Sequence, residues 1–285
     1  MKVRVITGII GILVIISAVV FIQTAYLGIL ISAFSMIAVY EVLKTAQVKN
    51  KGIILFGVLF AAAVPSFVEY NLLEKLRLPY SSVITVFGIL MLIMMLAQYD
   101  STRFEHVALA FFSSLAIPFS LSTLILLRDV YIKYPDRFEK AHGIYFVVLV
   151  LLCSWLTDTF AYFTGVKFGR HKLCPKISPK KTVEGAVGGI ILTAALNSIV
   201  LIGFNKLAFK SEFLTWWAII PISIFLSIIS MLGDLSASTL KRNYGVKDFG
   251  KFFPGHGGVM DRFDSLLFVS PTVYAAVAVS QVYML

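Results

Sequence analysis

The stretch from Asp234 to Asp264 is dense in ionisable side chains, although the chain as a whole is apolar. It contains carboxylates, ammonium and guanidinium groups and one imidazole, on Asp234, Lys241, Arg242, Lys247, Asp248, Lys251, His256, Asp261, Arg262 and Asp264. Mg²⁺ prefers oxygen ligands and usually binds through one or two carboxylates together with substrate phosphates. Lys and Arg stabilise charge on phosphoryl oxygens. The stretch therefore predicts a site for a metal ion and nucleotide phosphates, and a charged loop between membrane helices is the alternative.

Spacing predicts that several of these side chains lie together. Four polar residues have the spacing of one helix face, namely Asp234, Ser238, Lys241 and Arg242. They line that face if the helix continues past the membrane. Asp261 and Asp264 stand at i and i+3, so they are expected to begin the next helix on one face. We expect the carboxylates of Asp234, Asp261 and Asp264 to converge at the ends of these two helices.

Glycines interrupt the segment between the two predicted helices, at Gly245, Gly250, Gly255, Gly257 and Gly258. Glycine tolerates backbone conformations that turn N–H groups toward an anion. The His256–Gly258 turn is therefore expected to offer donors to a phosphate, although His256 could instead be a packed turn residue. Asp248 is expected to pair with a neighbouring cation. The sequence has no Gly-x-x-x-x-Gly-Lys-Ser/Thr phosphate loop, which disfavours a common ATPase.

Asp158 lies within an apolar run, residues 142–165, that is predicted to span the membrane. A carboxylate at that depth costs about 2.5–3.5 kcal/mol on insertion scales, so it should face a partner or a water-filled cavity. Ser154, Asp158 and Tyr162 follow one another at i, i+4 and i+8, which predicts an inward polar face. A role in the site and a hydrogen bond between two helices are the alternatives.

The next loop, residues 166–181, is basic and contains no acid. Its cations are Lys167, Arg170, Lys172, Lys176, Lys180 and Lys181. Pro175 and Pro179 are expected to break regular structure there. Thr182 is the predicted N-cap of the following helix, whose free N–H groups and dipole favour an anion beside Lys180 and Lys181. The competing explanation is that these charges only mark a cytosolic loop.

Composition identifies an integral membrane protein. With 285 residues, 59% hydrophobic and 14% charged, and a mean hydropathy of +0.89, the chain has too little polar surface for a soluble globule. A helix that rises about 1.5 Å per residue crosses a hydrocarbon core of about 30 Å in roughly 20 residues. Nine apolar runs approach this length, at about 5–22, 25–43, 52–69, 81–98, 106–127, 142–165, 183–205, 213–233 and 263–284. The predicted fold class is an all-α polytopic membrane protein with about nine transmembrane helices.

Loop charges predict the orientation of the chain and its partners. Positive charges in the loops after even-numbered spans place the N-terminus in the cytosol. Residues 1–141 are predicted to form a transmembrane scaffold of about five helices, and residues 142–285 a catalytic region of about four helices with two basic cytosolic loops. The net charge of +10 favours anionic lipid headgroups and phosphate-bearing substrates over nucleic acid. Cys153 and Cys174 lack metal-ligand or disulfide spacing and are interpreted as structural.

The residues from Ser238 to Asp264 resemble the phosphatidate cytidylyltransferase family, the CDP-diacylglycerol synthases. The family's pattern is Ser-x-apolar-Lys-Arg-x4-Lys-Asp-x-small-x2-apolar-Pro-x-His-Gly-Gly-apolar-x-Asp-Arg-apolar-Asp. It is met without a departure at Ser238, Leu240, Lys241, Arg242, Lys247, Asp248, Gly250, Phe253, Pro254, His256, Gly257, Gly258, Val259, Asp261, Arg262, Phe263 and Asp264. The upstream sequences SWLTDTFAYFTG and ISPKKTVEGAVGG also resemble the family, and RVITGIIG near the N-terminus does so more weakly.

The resemblance implies transfer of CMP from CTP to phosphatidic acid, which gives CDP-diacylglycerol and pyrophosphate and depends on Mg²⁺, alone or with a second cation. It also implies a homodimer in the cell (inner) membrane with a cytosolic active site. We assign the metal to Asp234, Asp261 and Asp264, with Asp158 as a further ligand or as a residue that orients the ligands. We assign the triphosphate to Lys241, Arg242, Lys247 and Arg262. Lys180 and Lys181, oriented by Glu184, are the candidates for the phosphatidate headgroup.

Three other functions compete with this hypothesis. A CTP-dependent lipid kinase would also need a metal ion and nucleotide phosphates in the membrane. An anion transporter could use Asp158 and the basic loops as a permeation path, although transport does not require the Lys-Arg-x4-Lys-Asp pattern. A membrane scaffold without activity leaves the convergence of charges unexplained.

Overall fold

A computed structural model describes residues 2–209 and 213–283. Long helices dominate it, and the helices are α1 Lys2–Val20, α2 Tyr26–Thr45, α3 Lys51–Glu69, α4 Leu72–Lys75, α5 Tyr80–Ala97, α6 Phe104–Arg128, α7 Val130–Lys133, α8 Lys140–Leu151, α9 Thr157–Phe168, α10 Val183–Leu207, α11 Ile219–Asn243, α12 Met260–Phe263 and α13 Leu266–Tyr283. A π-helical turn, Leu152–Leu156, joins α8 to α9, and two short strands, β1 Lys172–Cys174 and β2 Ser178–Thr182, precede α10.

The all-α polytopic fold class is confirmed. Within the described residues, seven helical segments are long and apolar enough to cross a membrane: α2, α3, α5, α6, the continuous α8–α9 segment, α10 and α11. Helices also occupy the first and last predicted spans, as α1 and α13, but their crossing of the membrane stays a prediction, as does the cytosolic N-terminus. The eighth predicted span is displaced, because α11 begins at Ile219 and continues to Asn243. This bears out the expected continuation of the helix beyond residue 233.

The chain forms two compact units. Unit 1 comprises residues 2–125 together with Tyr244–Arg262, so the glycine-rich segment belongs with the N-terminal helices. Helices α2 and α3 pack against each other. Asn50 caps α3 by accepting hydrogen bonds from the backbone N–H groups of Gly52 and Ile53, at 3.0 and 3.2 Å. Its amide also donates to the Met94 carbonyl at 3.2 Å, so this side chain links α3 to α5.

Unit 2 comprises Leu126–Asn243 and residues 263–283 of the described chain. Helix α10 packs on α9 and α11, and α11 packs on α13. The contact between α9 and α10 is close because α10 presents glycines: a Cβ atom on Gly189 would lie 2.7 Å from the Thr157 carbonyl oxygen. The Thr157 hydroxyl lies within hydrogen-bond distance of the Thr193 hydroxyl, at 3.3 Å, and of the Ser227 hydroxyl, at 3.0 Å. Buried hydroxyl groups therefore link α9 to both neighbouring helices.

The π-helical turn alters the predicted polar face of this segment. It lies between Ser154 and Asp158, and a π turn has a wider pitch than an α turn, so it shifts the faces before and after it. Ser154 is fully buried, whereas the Tyr162 ring is 66% exposed. The expectation that Ser154, Asp158 and Tyr162 form one inward face is therefore wrong for Tyr162.

The basic loop is more regular than predicted. Strands β1 and β2 pair antiparallel, with Lys172 opposite Thr182 and Cys174 opposite Ser178. Pro179 is accommodated because a two-stranded hairpin leaves one side of each strand unpaired. The predicted N-cap is confirmed, since the Thr182 hydroxyl accepts a hydrogen bond from the Gly185 N–H at 3.1 Å. The hairpin therefore leads directly into α10.

Candidate active site

A partly buried ion-pair cluster lies in unit 2 where β2, α9 and α11 meet. The Lys181 ammonium of β2 lies 3.3 Å from Asp158 Oδ1 on α9, and it also forms an ion pair with Asp234 on α11. The Lys181 side chain is 24% exposed. The expectation that Asp158 faces a partner is confirmed, and the partner is a cation that also binds a second carboxylate.

The two carboxylates determine the charge state of Lys181. Burial alone would lower the pKa of Lys181, but the negative charges of Asp158 and Asp234 outweigh it and raise the pKa above its usual value. Lys181 is therefore an ammonium throughout the neutral range. Its neighbour Lys180 is exposed. Of the two lysines that were assigned to a lipid headgroup, Lys181 binds carboxylates within the protein and Lys180 extends into the surroundings.

Asp264 joins this cluster through a turn rather than a helix. Helix α12 ends at Phe263, and Asp264 lies in the turn before α13, so the prediction that Asp261 and Asp264 share one helix face is wrong. Asp264 is only 6% exposed, and its Oδ1 accepts a hydrogen bond from the Ser265 N–H at 2.8 Å. The Ser265 hydroxyl donates to Asp158 Oδ2 at 3.2 Å, which connects the turn to α9.

Helix α11 brings Asp234 near this turn. The preceding residue, Gly233, packs so closely that a Cβ atom there would lie 2.9 Å from the Asp264 carbonyl oxygen. Asp264 also interacts electrostatically with Asp234, Lys241 and Asp158. Lys241 is 8% exposed. One face of α11 therefore supplies a carboxylate and an ammonium to the same partly buried cluster, as the spacing of the sequence predicts.

Arg242 and Glu184, two further polar residues predicted for the site, bind the backbone of the hairpin. Ser238 is half-buried on α11. Arg242 Nε donates to the Ile177 carbonyl at 3.3 Å and ties the helix to the turn of the hairpin. Glu184 does not orient Lys180 and Lys181 as expected. Its carboxylate accepts hydrogen bonds from the Arg170 and His171 N–H groups, at 3.0 and 3.2 Å, and so holds the start of the hairpin.

The glycine-rich segment of unit 1 is closed by its own hydrogen bonds. Asp261 Oδ2 accepts from the N–H groups of Phe249 and Gly258, both at 2.9 Å. The His256 N–H donates to the Phe253 carbonyl at 2.8 Å. The backbone donors of His256 and Gly258 therefore serve the segment itself, contrary to the expectation that this turn offers them to a phosphate. Gly257 has φ +88°, which disfavours residues with a Cβ atom.

The charged residues Lys247, Asp248 and Arg262 that the sequence predicts for the site lie at the surface of this segment. The imidazole Nδ1 of His256 is buried and has no hydrogen-bond partner among the described residues. Whether His256 binds a phosphate or only packs in the turn stays a prediction.

The cluster of unit 2 contains carboxylate oxygens, which are ligands that Mg²⁺ prefers. Three carboxylates, Asp158, Asp234 and Asp264, face two ammonium groups, Lys181 and Lys241, so the carboxylates outnumber the cations. Among residues 2–209 and 213–283, no three His, Cys, Asp or Glu side chains lie close enough together to hold a metal ion by themselves. Mg²⁺ needs only one or two carboxylates when substrate phosphates complete its shell, so the donor set fits. Joint ligation by Asp234, Asp261 and Asp264 stays a prediction.

Sequence reasoning missed two residues that organise these arrangements. Ser265 follows the last position of the recognised pattern, and a single serine at a helix start carries no signal for the contact it makes with Asp158. Glu41 lies in α2, in the half of the chain that the sequence assigns to scaffold. Its partner, the backbone N–H of Met260, is 219 positions away, so the contact has no local signature.

Comparison with known proteins agrees with the pattern in the sequence. The sequence model of the cytidylyltransferase family matches residues 2–280 of this chain. The phosphatidate cytidylyltransferase of Bacillus subtilis (strain 168) is 32% identical over 98% of this chain and 98% of its own length. The phosphatidate cytidylyltransferase of Thermotoga maritima is 34% identical over 86% of this chain and 85% of its own length. That of Staphylococcus saprophyticus is 35% identical over 77% of this chain and 87% of its own length. Because these matches run through nearly all of the sequence, the chain belongs to the cytidylyltransferase family.

Proposed function

We propose that this protein transfers CMP from CTP to phosphatidic acid and releases pyrophosphate. The observation that carries the proposal is similarity over nearly the full length to proteins named phosphatidate cytidylyltransferase, in a chain that also holds a partly buried cluster of carboxylates and lysines among apolar helices. A phosphate ester on a lipid is a substrate that such a cluster can receive at a membrane surface. The kinase, transporter and scaffold hypotheses have no comparable support.

The reaction requires one bond to form and one to break. A phosphate oxygen of phosphatidate attacks the α-phosphorus of CTP in line, a new P–O bond forms, and the bond to the β-phosphate breaks. The electron pair of that bond leaves with pyrophosphate. Little covalent chemistry is left to the protein, so its contribution is positioning and charge neutralisation.

Cationic side chains would supply much of that neutralisation. Lys241 and Arg242 are proposed to bind the triphosphate and the leaving pyrophosphate, and Lys247 and Arg262 have the same role on the basis of the family pattern. Lys180, which is exposed beside the N-cap of α10, is proposed to bind the phosphatidate headgroup. Lys181 has a different role, because it holds Asp158 and Asp234 in place and compensates their charge.

Asp234 and Asp264 are proposed to hold Mg²⁺, and Asp158 lies beside them. Asp261 is proposed as a further ligand because it is a position of the family pattern. When bound, Mg²⁺ would neutralise charge on the phosphoryl oxygens. Asp264 and Asp158 are held by Ser265, and Asp234 and Asp158 by Lys181, so the carboxylates of the cluster are oriented before any ligand arrives. Such preorganisation lowers the cost of arranging charges during the reaction.

We further propose that the protein lies in the cell (inner) membrane as a homodimer with its active site toward the cytosol. The basic hairpin supports this orientation, because Lys- and Arg-rich loops are retained on the cytosolic side. Phosphatidate would enter from the bilayer, and CTP from the cytosol.

The test is the fate of labelled CTP. Purified protein is incubated with phosphatidate vesicles, Mg²⁺ and CTP carrying label at the α- or the γ-phosphorus. We expect α-label in a lipid product and γ-label in pyrophosphate. Label from the γ-position in the lipid, with release of CDP, would instead identify a kinase. Uptake of phosphate compounds by sealed vesicles without nucleotide turnover would identify a transporter.

A further inference from the structure

Glu41 is a buried carboxylate in the half of the chain that the sequence assigns to scaffold. It lies about one turn before the end of α2 and is only 5% exposed. Burial of a carboxylate is costly unless hydrogen bonds compensate it. The compensation comes from the glycine-rich segment, because Glu41 Oε2 accepts a hydrogen bond from the Met260 N–H at 2.9 Å.

Two glycines allow the segment to approach this carboxylate. A Cβ atom on either Gly250 or Gly258 would overlap the carboxylate oxygens of Glu41. Each glycine therefore leaves the space that the Glu41 side chain occupies, which explains a small residue at both positions. Gly250 lies near the start of residues 249–260 and Gly258 near the end, so one side chain contacts both ends of this segment.

A second side chain of α2 supports the same segment. The Thr45 hydroxyl, one helical turn after Glu41, donates to the Phe249 carbonyl at 3.1 Å. Asp261, which follows residues 249–260, joins their two ends by accepting hydrogen bonds from the N–H groups of Phe249 and Gly258. Residues 249–260 are therefore closed by Asp261 and attached to α2 by Glu41 and Thr45. Between these attachments lie Lys251 and His256.

We infer that Glu41 is a positioning residue for cytidylyl transfer, which fixes residues 249–260 and with them the flanking Lys247 and Arg262, the cations assigned to binding of the nucleotide triphosphate. The inference rests on the proposed function, because the role in nucleotide binding comes from it. Glu41 acts through the backbone of Met260 and the space beside Gly250 and Gly258. It does not touch the substrate.

The test compares Glu41→Ala and Glu41→Gln with Ser35→Ala. Ser35 is fully buried on the same helix, and its hydroxyl has no hydrogen-bond partner among the described residues, so its loss controls for a change in the core of α2. Gln keeps the size of Glu41 and one carbonyl oxygen that can accept from Met260. The measurements are KM for CTP, KM for phosphatidate, kcat, and the rate of tryptic cleavage after Lys251 without substrate.

For E41A we expect KM for CTP to rise about 10- to 100-fold, since small displacements of binding groups have effects of this size. KM for phosphatidate should change less than about twofold, and cleavage after Lys251 should accelerate at least about tenfold, because residues 249–260 lose their attachment to α2. E41Q should have a KM for CTP and a cleavage rate close to those of the wild type, and S35A should match the wild type in both.

Three results would overturn the inference. One is an E41A protein with faster cleavage but an unchanged KM for CTP, which would make the contact purely structural. Another is an equal rise of both KM values. The third is cleavage at the wild-type rate, which would show that Glu41 does not hold the segment. Failure of the proposed function is distinguishable, because the wild-type protein would then form no labelled lipid while the cleavage assay still reports on the attachment.

Discussion

Replacement of Lys181 by Met would remove the cation between Asp158 and Asp234. Two unit charges about 4 Å apart interact by about 4 kcal/mol at an effective dielectric constant of about 20. The Lys181 and Asp158 side chains are 24% and 36% exposed, so solvent screens part of this interaction. We expect a coupling free energy of about 1–2 kcal/mol for this pair, and a total cost of about 2–4 kcal/mol for K181M, which also leaves Asp234 unpaired.

A double-mutant cycle measures the coupling. Thermal denaturation in one detergent is followed by circular dichroism for the wild type, K181M, D158N and K181M/D158N. Each kcal/mol corresponds to about 2–4 °C in Tm for a chain of this size class. K181M should therefore lower Tm by about 4–16 °C, and the double variant should lose about 1–2 kcal/mol less than the sum of the single variants.

Lys180→Met is the matched control, because Lys180 is the exposed neighbour on the same strand. We expect K180M to change the free energy of unfolding by less than about 0.5 kcal/mol, as for most surface substitutions. Strictly additive losses in the cycle would refute the reasoning, since they would show that Lys181 and Asp158 do not interact. A K180M protein as unstable as K181M would also refute it.

Two further predictions concern packing and capping. Gly189→Ala should destabilise the protein by about 1–3 kcal/mol, because the added Cβ atom would meet the backbone of α9. Gly203→Ala on the same helix is the control, since its Cβ atom would have no atom within 4 Å and the change should be neutral or slightly stabilising. Equal Tm values for the two variants would contradict the close contact at Gly189. Asn50→Ala should cost about 2–4 kcal/mol, because Asn50 is 3% exposed and its loss leaves buried N–H and carbonyl groups unpaired. The exposed Asn243→Ala is its control, and loss of less than about 0.5 kcal/mol in N50A would contradict the capping role.

Periodicity and local chemistry predict the helices well. Each of the nine apolar runs contains a helix, and Thr182 caps α10 as its position before an apolar run indicates. The shared position of Asp234 and Lys241 on one face of α11 follows from their spacing. The inward position of Asp158 follows from the cost of a charge in an apolar environment. These features depend on neighbours within a few positions of the chain, which is why the sequence reveals them.

Contacts between distant segments are not predictable in this way. The hairpin of residues 172–182 is short and lacks an alternating apolar pattern, so its lysines and prolines indicate a loop. Lys181 meets Asp158 and Asp234 only because β2, α9 and α11 pack together. Glu41 reaches Met260 across most of the chain. The sequence therefore indicates candidate site residues, but not the distant residues that they contact.

The most direct test of the active-site hypothesis is transfer of α-label from CTP to lipid by Asp234→Asn and by Asp100→Asn. Asp100 is an exposed acid in the loop after α5, so D100N controls for loss of a carboxylate elsewhere. We predict that D234N lowers turnover at least about 100-fold at limiting Mg²⁺ while D100N equals the wild type. Turnover by D234N near the wild-type rate at limiting Mg²⁺ would contradict the assignment of this carboxylate to the catalytic metal.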